Sequence, residues 1–186
     1  MNNYFIQSGF FVKDDSCFEW DPLVLASWYD QKFKKDKIDQ EYLAAYLNAS
    51  KDLQQALIAR SHPFPGMTLL RDDQTCMPFL FSCRHLIEIT IKYKLKNLGV
   101  SYKYNHGIAS LWNKLKTVVG NDYNKQFDEL IKTFNYTDTN GVGLRFSHDQ
   151  NDKYYGSEPV SINSSRIMNS TEELYNFIIN IRKGKK

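Results

Sequence analysis

The chain has 186 residues, of which 42% are hydrophobic and 24% charged; these are values of a globular domain and exclude wholesale disorder. Its net charge of +3 is too small to indicate a nucleic-acid partner by itself. The sequence contains neither a signal-peptide pattern nor the roughly 18 uninterrupted apolar residues of a membrane span. Its three cysteines have no metal-type spacing, which favours unpaired thiols in a reducing, cytoplasmic setting.

The N-terminal part is predicted to be an extended arm followed by two helices. Residues 1–20 contain clustered aromatic side chains without a helical period, which is typical of an arm that packs its rings on the body. Asp21 and Pro22 are typical of a helix start and open the first helix. Apolar residues at three- and four-residue steps predict a second helix over about 40–61, ended by the prolines and glycine of residues 62–66.

Three further helices are predicted in the middle of the chain. The most apolar of them covers about residues 77–98 and ends at Gly99, because glycine is favoured at helix C-terminal caps. The next begins near His106 and ends at Gly120 in the same way. Another is predicted over residues 122–135.

The remainder of the chain changes in composition before a last helix. Gly, Asn, Asp, Ser and Tyr dominate near residues 137–163, which predicts an irregular or short-strand insertion. The capping-box pattern Ser170–Glu173 predicts a C-terminal helix over residues 170–183. The sequence therefore predicts a single all-α domain over residues 1–186, with five or six helices and a helical body over residues 21–136.

The helix at 77–98 carries one charged side chain in its most apolar stripe. At about 100° per residue, that stripe contains Leu80, Arg84, Ile87, Ile91, Leu95 and Leu98. Glu88 lies one turn beyond Arg84 and is expected to pair with it, but one carboxylate satisfies only part of a guanidinium. Arg84 is therefore expected either to brace a buried polar network or to bind an anion in a cleft. His85, Lys92 and Lys96 share another face, which is expected to be solvated.

A polar loop near the insertion contains Arg145, His148 and Asp149 within five residues. Histidine transfers protons near neutral pH and arginine holds phosphate through paired donors, so Arg145 and His148 are candidate catalytic residues for RNA cleavage without metal. The alternative interpretation is a structural loop anchored by Phe146. The four histidines are isolated and no cofactor-binding motif occurs, so the sequence predicts neither a metal nor a cofactor.

A resemblance to the HEPN superfamily lies in two segments, PFLFSCRHLIEITIKYKLKNLG and the HGIASLW that starts at His106. The later Leu-Arg-Phe at 144–146 with Asp149 also resembles an Arg-Tyr/Phe loop of some members. The resemblance covers about residues 78–185. It implies an HEPN-like helical bundle from a prokaryotic toxin–antitoxin or antiviral system, a homodimer, and RNA or a cognate protein as partner. The candidate polar cluster for binding comprises Arg84, Glu88, His106 and Asp149.

One departure from the superfamily decides between the functional hypotheses. Its ribonucleases carry R-x(4–6)-H, and no arginine in this chain is followed by a histidine at that spacing. The leading hypothesis is therefore a non-catalytic HEPN-like module that binds RNA or a protein partner in a stress or phage-defence context. The first alternative is a metal-independent endoribonuclease that uses Arg145 and His148. The second is a phage- or host-encoded scaffold or regulator that acts only by association.

Overall fold

The structure is a computed structural model whose described residues are 35–60, 62–63, 70–71, 73–102, 106–120, 123–138, 144 and 162–181. The predicted N-terminal arm, the first predicted helix and most of the 137–163 insertion lie outside these residues. The chain divides into two compact units, residues 1–41 and 42–186, and the packing described below lies within the second. The elements in chain order are α1 (Lys35–Arg60), β1 (His62–Pro63), β2 (Leu70–Arg71), α2 (Asp73–Leu98), α3 (Ile108–Val119), α4 (Gln126–Thr137) and α5 (Ser164–Asn180).

The fold is all-α, as the sequence predicts. Among the described residues the only strands are β1 and β2, two residues each, which pair antiparallel with His62 opposite Arg71 and Pro63 opposite Leu70. This short pairing lies where the prolines were expected to end a helix, and α1 does end just before it, at Arg60. None of the described helices is both long and apolar enough to cross a membrane.

The helices follow the predicted order with shifted boundaries. α1 begins at Lys35 rather than near residue 40, and α2 begins at Asp73 rather than residue 77. α4 is displaced toward the C-terminus of its predicted range and ends at Thr137. In α2 the extra turn places Pro78 inside the helix, where its ring nitrogen cannot donate an intrahelical hydrogen bond.

Two glycines end helices as predicted. Gly99 has a φ of +72°, and its backbone N–H donates to Lys96 O at 3.1 Å while Val100 N–H donates to Leu95 O at 2.9 Å. This pair of bonds is a Schellman motif, which satisfies carbonyls that the last turn of α2 leaves open. Gly120, also at +72°, ends α3. Glycine is favoured at both positions because a Cβ is strained in the left-handed region.

The predicted start of the last helix is wrong. α5 begins at Ser164, and its N-cap is Asn163, whose side-chain oxygen accepts a hydrogen bond from the Arg166 N–H at 2.9 Å. The capping-box pattern Ser170–Glu173 therefore lies inside the helix. Within it, Thr171 is fully buried in the packed interior. Asn163 is as good an N-cap residue as serine or threonine, so local pattern alone did not distinguish the two starts.

The core forms around α2, which packs mainly on α5 and α3, while α4 packs on both α3 and α5. Its most completely buried apolar side chains are Phe79, Cys83, Leu86, Ile91, Leu95, Ile108, Leu115, Leu174 and Ile178. Burial raises the pKa of the Cys83 thiol to about 12, against smaller opposing hydrogen bonds from Ser50 and Thr171. Cys83 is therefore a neutral, buried thiol, as expected for an unpaired structural cysteine.

A carboxylate joins α3 to α4. Asp128 Oδ1 accepts hydrogen bonds from Trp112 Nε1 at 2.7 Å and Lys116 Nζ at 2.8 Å, and Asp128 Oδ2 accepts one from the Tyr123 hydroxyl at 2.8 Å. Burial raises the pKa of Asp128, but these three donors outweigh it and hold the pKa below its ordinary value. The contact therefore ties two side chains of α3 to the first turn of α4.

Candidate functional site

Arg84 lies in the middle of α2 with none of its surface exposed. Its Nη1 donates to Glu88 Oε2 at 3.0 Å, one turn along the same helix. Its Nη2 donates to the backbone carbonyl of His106 at 2.7 Å. Its Nε donates to the backbone carbonyl of Asp138 at 3.1 Å and lies 3.3 Å from Asp138 Oδ2. The guanidinium therefore ties α2 to the residues before α3 and after α4, and the further acceptors expected for it are groups of the protein itself.

Glu88 is the second centre of this network, with a side chain only 1% exposed. Besides the bond from Arg84, its Oε1 accepts a hydrogen bond from Lys92 Nζ at 2.6 Å and lies 2.8 Å from His106 Nδ1. Burial raises the pKa of Glu88, but the hydrogen bonds and charges of Lys92 and His106 outweigh it and hold the pKa below its ordinary value. Glu88 is therefore an ionised, buried carboxylate at neutral pH.

His106 is where the network reaches solvent, since half of its side-chain surface is exposed. Because an ionised carboxylate only accepts hydrogen bonds, the contact with Glu88 places a proton on His106 Nδ1. In the neutral imidazole, Nε2 is then the acceptor. The ring is held from behind by Glu88, and the backbone is held by Arg84, so both parts of the residue are fixed. His106 is thus an oriented, partly exposed group able to accept or donate a proton.

The charges of the buried part of the network balance. Arg84 and Lys92 are its cations and Glu88 and Asp138 its anions, and all four side chains are at most 12% exposed. Compensation of this kind allows ionised groups to stay buried. Because the four charges cancel, a proton on His106 would give the network a net positive charge at its exposed edge.

The structure brings together three of the predicted cluster residues, Arg84, Glu88 and His106. The other three predicted site residues lie outside the described residues: Arg145, His148 and Asp149. Sequence reasoning missed Asp138, which lies just past the end of α4 in the stretch assigned to the insertion. A buried arginine with only one local carboxylate was the available signal that a second acid had to come from elsewhere.

The prediction of a solvated face on α2 is wrong for two of its three residues. The His85 ring packs between Tyr46 and Phe81, with centroid distances of 4.6 and 5.6 Å. Lys92 is bound to Glu88, while Lys96 is exposed as expected. The helical angle of a residue fixes its face, but which neighbours cover that face depends on α1 and on the chain before α3.

A lysine-rich segment contains the exposed part of the site. Residues 89–121 hold six lysines and no Asp or Glu, and they include the end of α2, His106 and all of α3. Since the whole chain has a net charge of only +3, the positive charge is concentrated in this segment. The overall composition conceals this asymmetry, and a count within windows along the sequence would have revealed it.

A comparison with protein-family models matches residues 71–182 to the HEPN domain, which is more than half of the chain. The chain belongs to the HEPN family. The match spans α2 to α5 and includes the buried network from Arg84 to Asp138. The family resemblance predicted from the sequence is thereby confirmed. No curated protein and no solved structure matches the chain.

Proposed function

We propose that this HEPN domain is a non-catalytic RNA-binding module whose binding surface includes His106 and α3. The observation that carries the proposal is the segment 89–121, with six lysines and no acidic residue. A local excess of positive charge attracts the negatively charged phosphate backbone of nucleic acid. Because the segment has no acidic side chain, it contributes no like-charge repulsion of the phosphates. The HEPN family membership supports RNA as the ligand.

The contacts of the lysines divide them into structural and available groups. Lys94 Nζ donates to the carbonyl of Ile179 at 2.8 Å near the end of α5. Lys92 is bound to Glu88 and Lys116 to Asp128, so all three lysines have structural roles. Lys114 is exposed on α3. The oriented imidazole of His106 lies beside the start of that helix, and in its protonated form Nε2 can donate to a phosphate oxygen while Nδ1 stays bound to Glu88. These two side chains are the proposed phosphate contacts.

A His106→Ala variant is expected to bind RNA at least about tenfold more weakly, because it loses one charge-assisted hydrogen bond to a phosphate. The measurement is fluorescence anisotropy of a labelled single-stranded RNA at two salt concentrations, because phosphate contacts make affinity fall with salt. The backbone carbonyl that Arg84 binds remains in the variant, so the anchor of this segment is retained.

Lys132→Ala, an exposed change on α4, is the matched control for this variant and is expected to bind like wild type. A thermal unfolding curve of each variant verifies that it is folded. Absence of RNA binding by the wild-type chain at low salt would contradict the proposed function outright.

The second candidate function is a metal-independent endoribonuclease, and the contact between Glu88 and His106 favours it. A carboxylate that orients a partly exposed histidine is a common arrangement for a general base. His106 Nε2 would accept the proton of a 2′-hydroxyl as its oxygen attacks the adjacent phosphorus. The P–O5′ bond breaks, leaving a 2′,3′-cyclic phosphate, and the 5′-oxygen takes a proton from water. Catalysis by Arg145 and His148 stays the sequence-based prediction.

Incubation of RNA with the protein and a chelator tests this candidate, with 2′-deoxy substrate as the blank. Cleavage that His106→Ala abolishes while binding persists would replace the non-catalytic proposal. Cleavage lost only in His148→Ala would instead assign the reaction to the Arg145–His148 loop. Intact RNA in all reactions supports binding without cleavage.

We further propose that the domain acts as a homodimer in a cytoplasmic stress or phage-defence system, as its family membership suggests. Light scattering after size exclusion is expected to give the mass of two chains at micromolar concentration. The mass of a single chain across that range would contradict the dimer. The free, buried thiol of Cys83 agrees with a reducing compartment.

A further inference from the structure

The outer face of α3 forms the floor of a shallow trough. One depression has a volume of about 510 Å³, and the described residues that line it are Ser101, Tyr102, Ser110, Leu111, Asn113, Lys114 and Thr117. A second depression of about 290 Å³ shares Asn113 and Thr117 with the first and continues past Lys116 to Gly120 and Tyr123. The two depressions therefore adjoin on this face of the helix and are together called the α3 trough.

The floor of the trough is a regular row of polar side chains. Ser110, Asn113, Lys114 and Thr117 lie at steps of three, one and three residues and share one exposed face of α3. At about 1.5 Å per residue, the floor from Ser110 to Gly120 is about 15 Å long. It offers hydroxyl, amide and ammonium groups, and none of the described lining residues has a carboxylate. Such a surface favours an extended, negatively charged ligand.

An aromatic ring lines each end of the trough, Tyr102 at one and Tyr123 at the other. The Tyr123 ring is held in place, because its hydroxyl donates to Asp128 and its ring packs edge-on against Trp112 at 5.4 Å. The same Asp128 also binds Lys116, whose ammonium lies 5.6 Å from the Tyr123 ring centroid. Fixed aromatic rings beside a cationic groove are the usual elements of single-strand nucleic-acid binding.

We propose that the α3 trough binds a single-stranded RNA segment, with Lys114 at a phosphate and Tyr123 at a base. This rests on the proposed function and names the form of RNA and the surface that binds it. The strand would run along α3 from the His106 end toward Tyr123. Bases in a duplex are paired and stacked, so their faces are not available to Tyr123, and only the charge of the trough would act on a duplex.

The test compares a fluorescein-labelled ten-nucleotide single-stranded RNA with a blunt duplex of the same sequence. Wild-type protein is expected to bind the single strand at least about tenfold more tightly, since stacking contributes only there. Lys114→Glu and Thr117→Glu are expected to raise the dissociation constant about tenfold each by adding negative charge to the trough floor. Tyr123→Leu is expected to reduce the preference for the single strand.

Lys132→Glu is the control for Lys114→Glu, because it makes the same charge change at an exposed position of α4 outside the trough. It is expected to change the dissociation constant by less than about threefold, a long-range effect only. Circular dichroism verifies that each variant is folded. Lys114 and Thr117 are both exposed, so if one variant fails to fold, the other still tests the trough.

The possible results separate the two proposals. If the wild-type chain binds no RNA, both the RNA-binding function and the trough assignment fail. If it binds RNA but the trough variants behave like Lys132→Glu, the trough assignment fails while RNA binding stands. Equal affinity for the duplex, or displacement of the RNA by a polyglutamate peptide of equal charge, would also overturn the assignment, since the surface would then recognise charge alone.

Discussion

Replacement of Arg84 by alanine is expected to lower the free energy of unfolding by about 3–5 kcal/mol, the range for removing one partner from a buried ion pair. The guanidinium is fully buried and compensates the carboxylates of Glu88 and Asp138. Without it those acids face each other across a cavity, and the carbonyls of His106 and Asp138 lose their donor. Urea denaturation monitored by tryptophan fluorescence measures the change, with an m-value close to wild type as the sign of an unchanged fold.

Two further variants make this prediction specific. Arg84→Lys keeps the charge but cannot reach three acceptors with one ammonium, so a loss between those of wild type and alanine is expected. Arg166→Ala removes an exposed arginine on α5 and is expected to change stability by at most about 0.5 kcal/mol. A loss for Arg84→Ala no larger than that of Arg166→Ala would show that the network does not hold the helices together.

Of the buried network around Arg84, only the contact between Arg84 and Glu88 was predictable from the sequence. Helical spacing places Glu88 beside Arg84, and the structure contains that contact. The other two partners of Arg84 are 22 and 54 residues away in sequence; both accept through backbone carbonyls, and Asp138 also contributes its carboxylate. Every residue type has such a carbonyl, so neither composition nor periodicity identifies which one accepts. The sequence did show that Arg84 lacks acceptors locally: its guanidinium has five donors in an aliphatic stripe, and only Glu88 is within reach on the same helix.

The helices were predictable because their signals are local. Apolar residues at three- and four-residue steps located the helices, and the glycines after α2 and α3 fixed two C-terminal ends. The start of α5 was not fixed, since Asn163 and Ser170 are both good caps and tertiary packing selects between them. Thr171, which belongs to the capping-box pattern, is fully buried inside the fold rather than at an exposed helix start.

The buried network and the lysine-rich segment both lie within the residues matched to the HEPN domain, but they have different roles. The network is electrically balanced and inaccessible, so its own charges cannot attract a ligand from solution. Attraction has to come from lysines of residues 89–121 that lie outside that balance, such as the exposed Lys114, since Lys92 and Lys116 are paired with Glu88 and Asp128. His106 belongs to both, because its carbonyl and Nδ1 are bound inside while half of its side chain is exposed. Its position therefore links the stability of the fold to the proposed RNA surface.

Glu88→Gln is expected to destabilise the chain by about 2–3 kcal/mol at pH 7, since a neutral amide loses charge-assisted bonds from Arg84, Lys92 and His106. The folded state holds the pKa of Glu88 below its ordinary value of about 4.5, so the ionised carboxylate stabilises the fold above that value. This contribution is lost as the pH falls through the folded-state pKa. The stability difference between wild type and Glu88→Gln should therefore shrink as the pH falls below about 4.5.

The difference between the two proteins is the informative quantity, because Asp128 also has a lowered pKa and contributes to acid unfolding in both. Urea denaturation of each protein at steps between pH 7 and pH 3 measures it. A difference that stays constant to pH 3 would mean that Glu88 has the same pKa in the folded and unfolded states, so that the network does not favour its ionised form. A difference that grows as the pH falls toward 4.5 and does not shrink below it would mean that burial dominates over the hydrogen bonds and raises the folded-state pKa of Glu88. In the second case Glu88 would carry a proton near neutral pH and would not act as the ionised acceptor that orients the His106 ring.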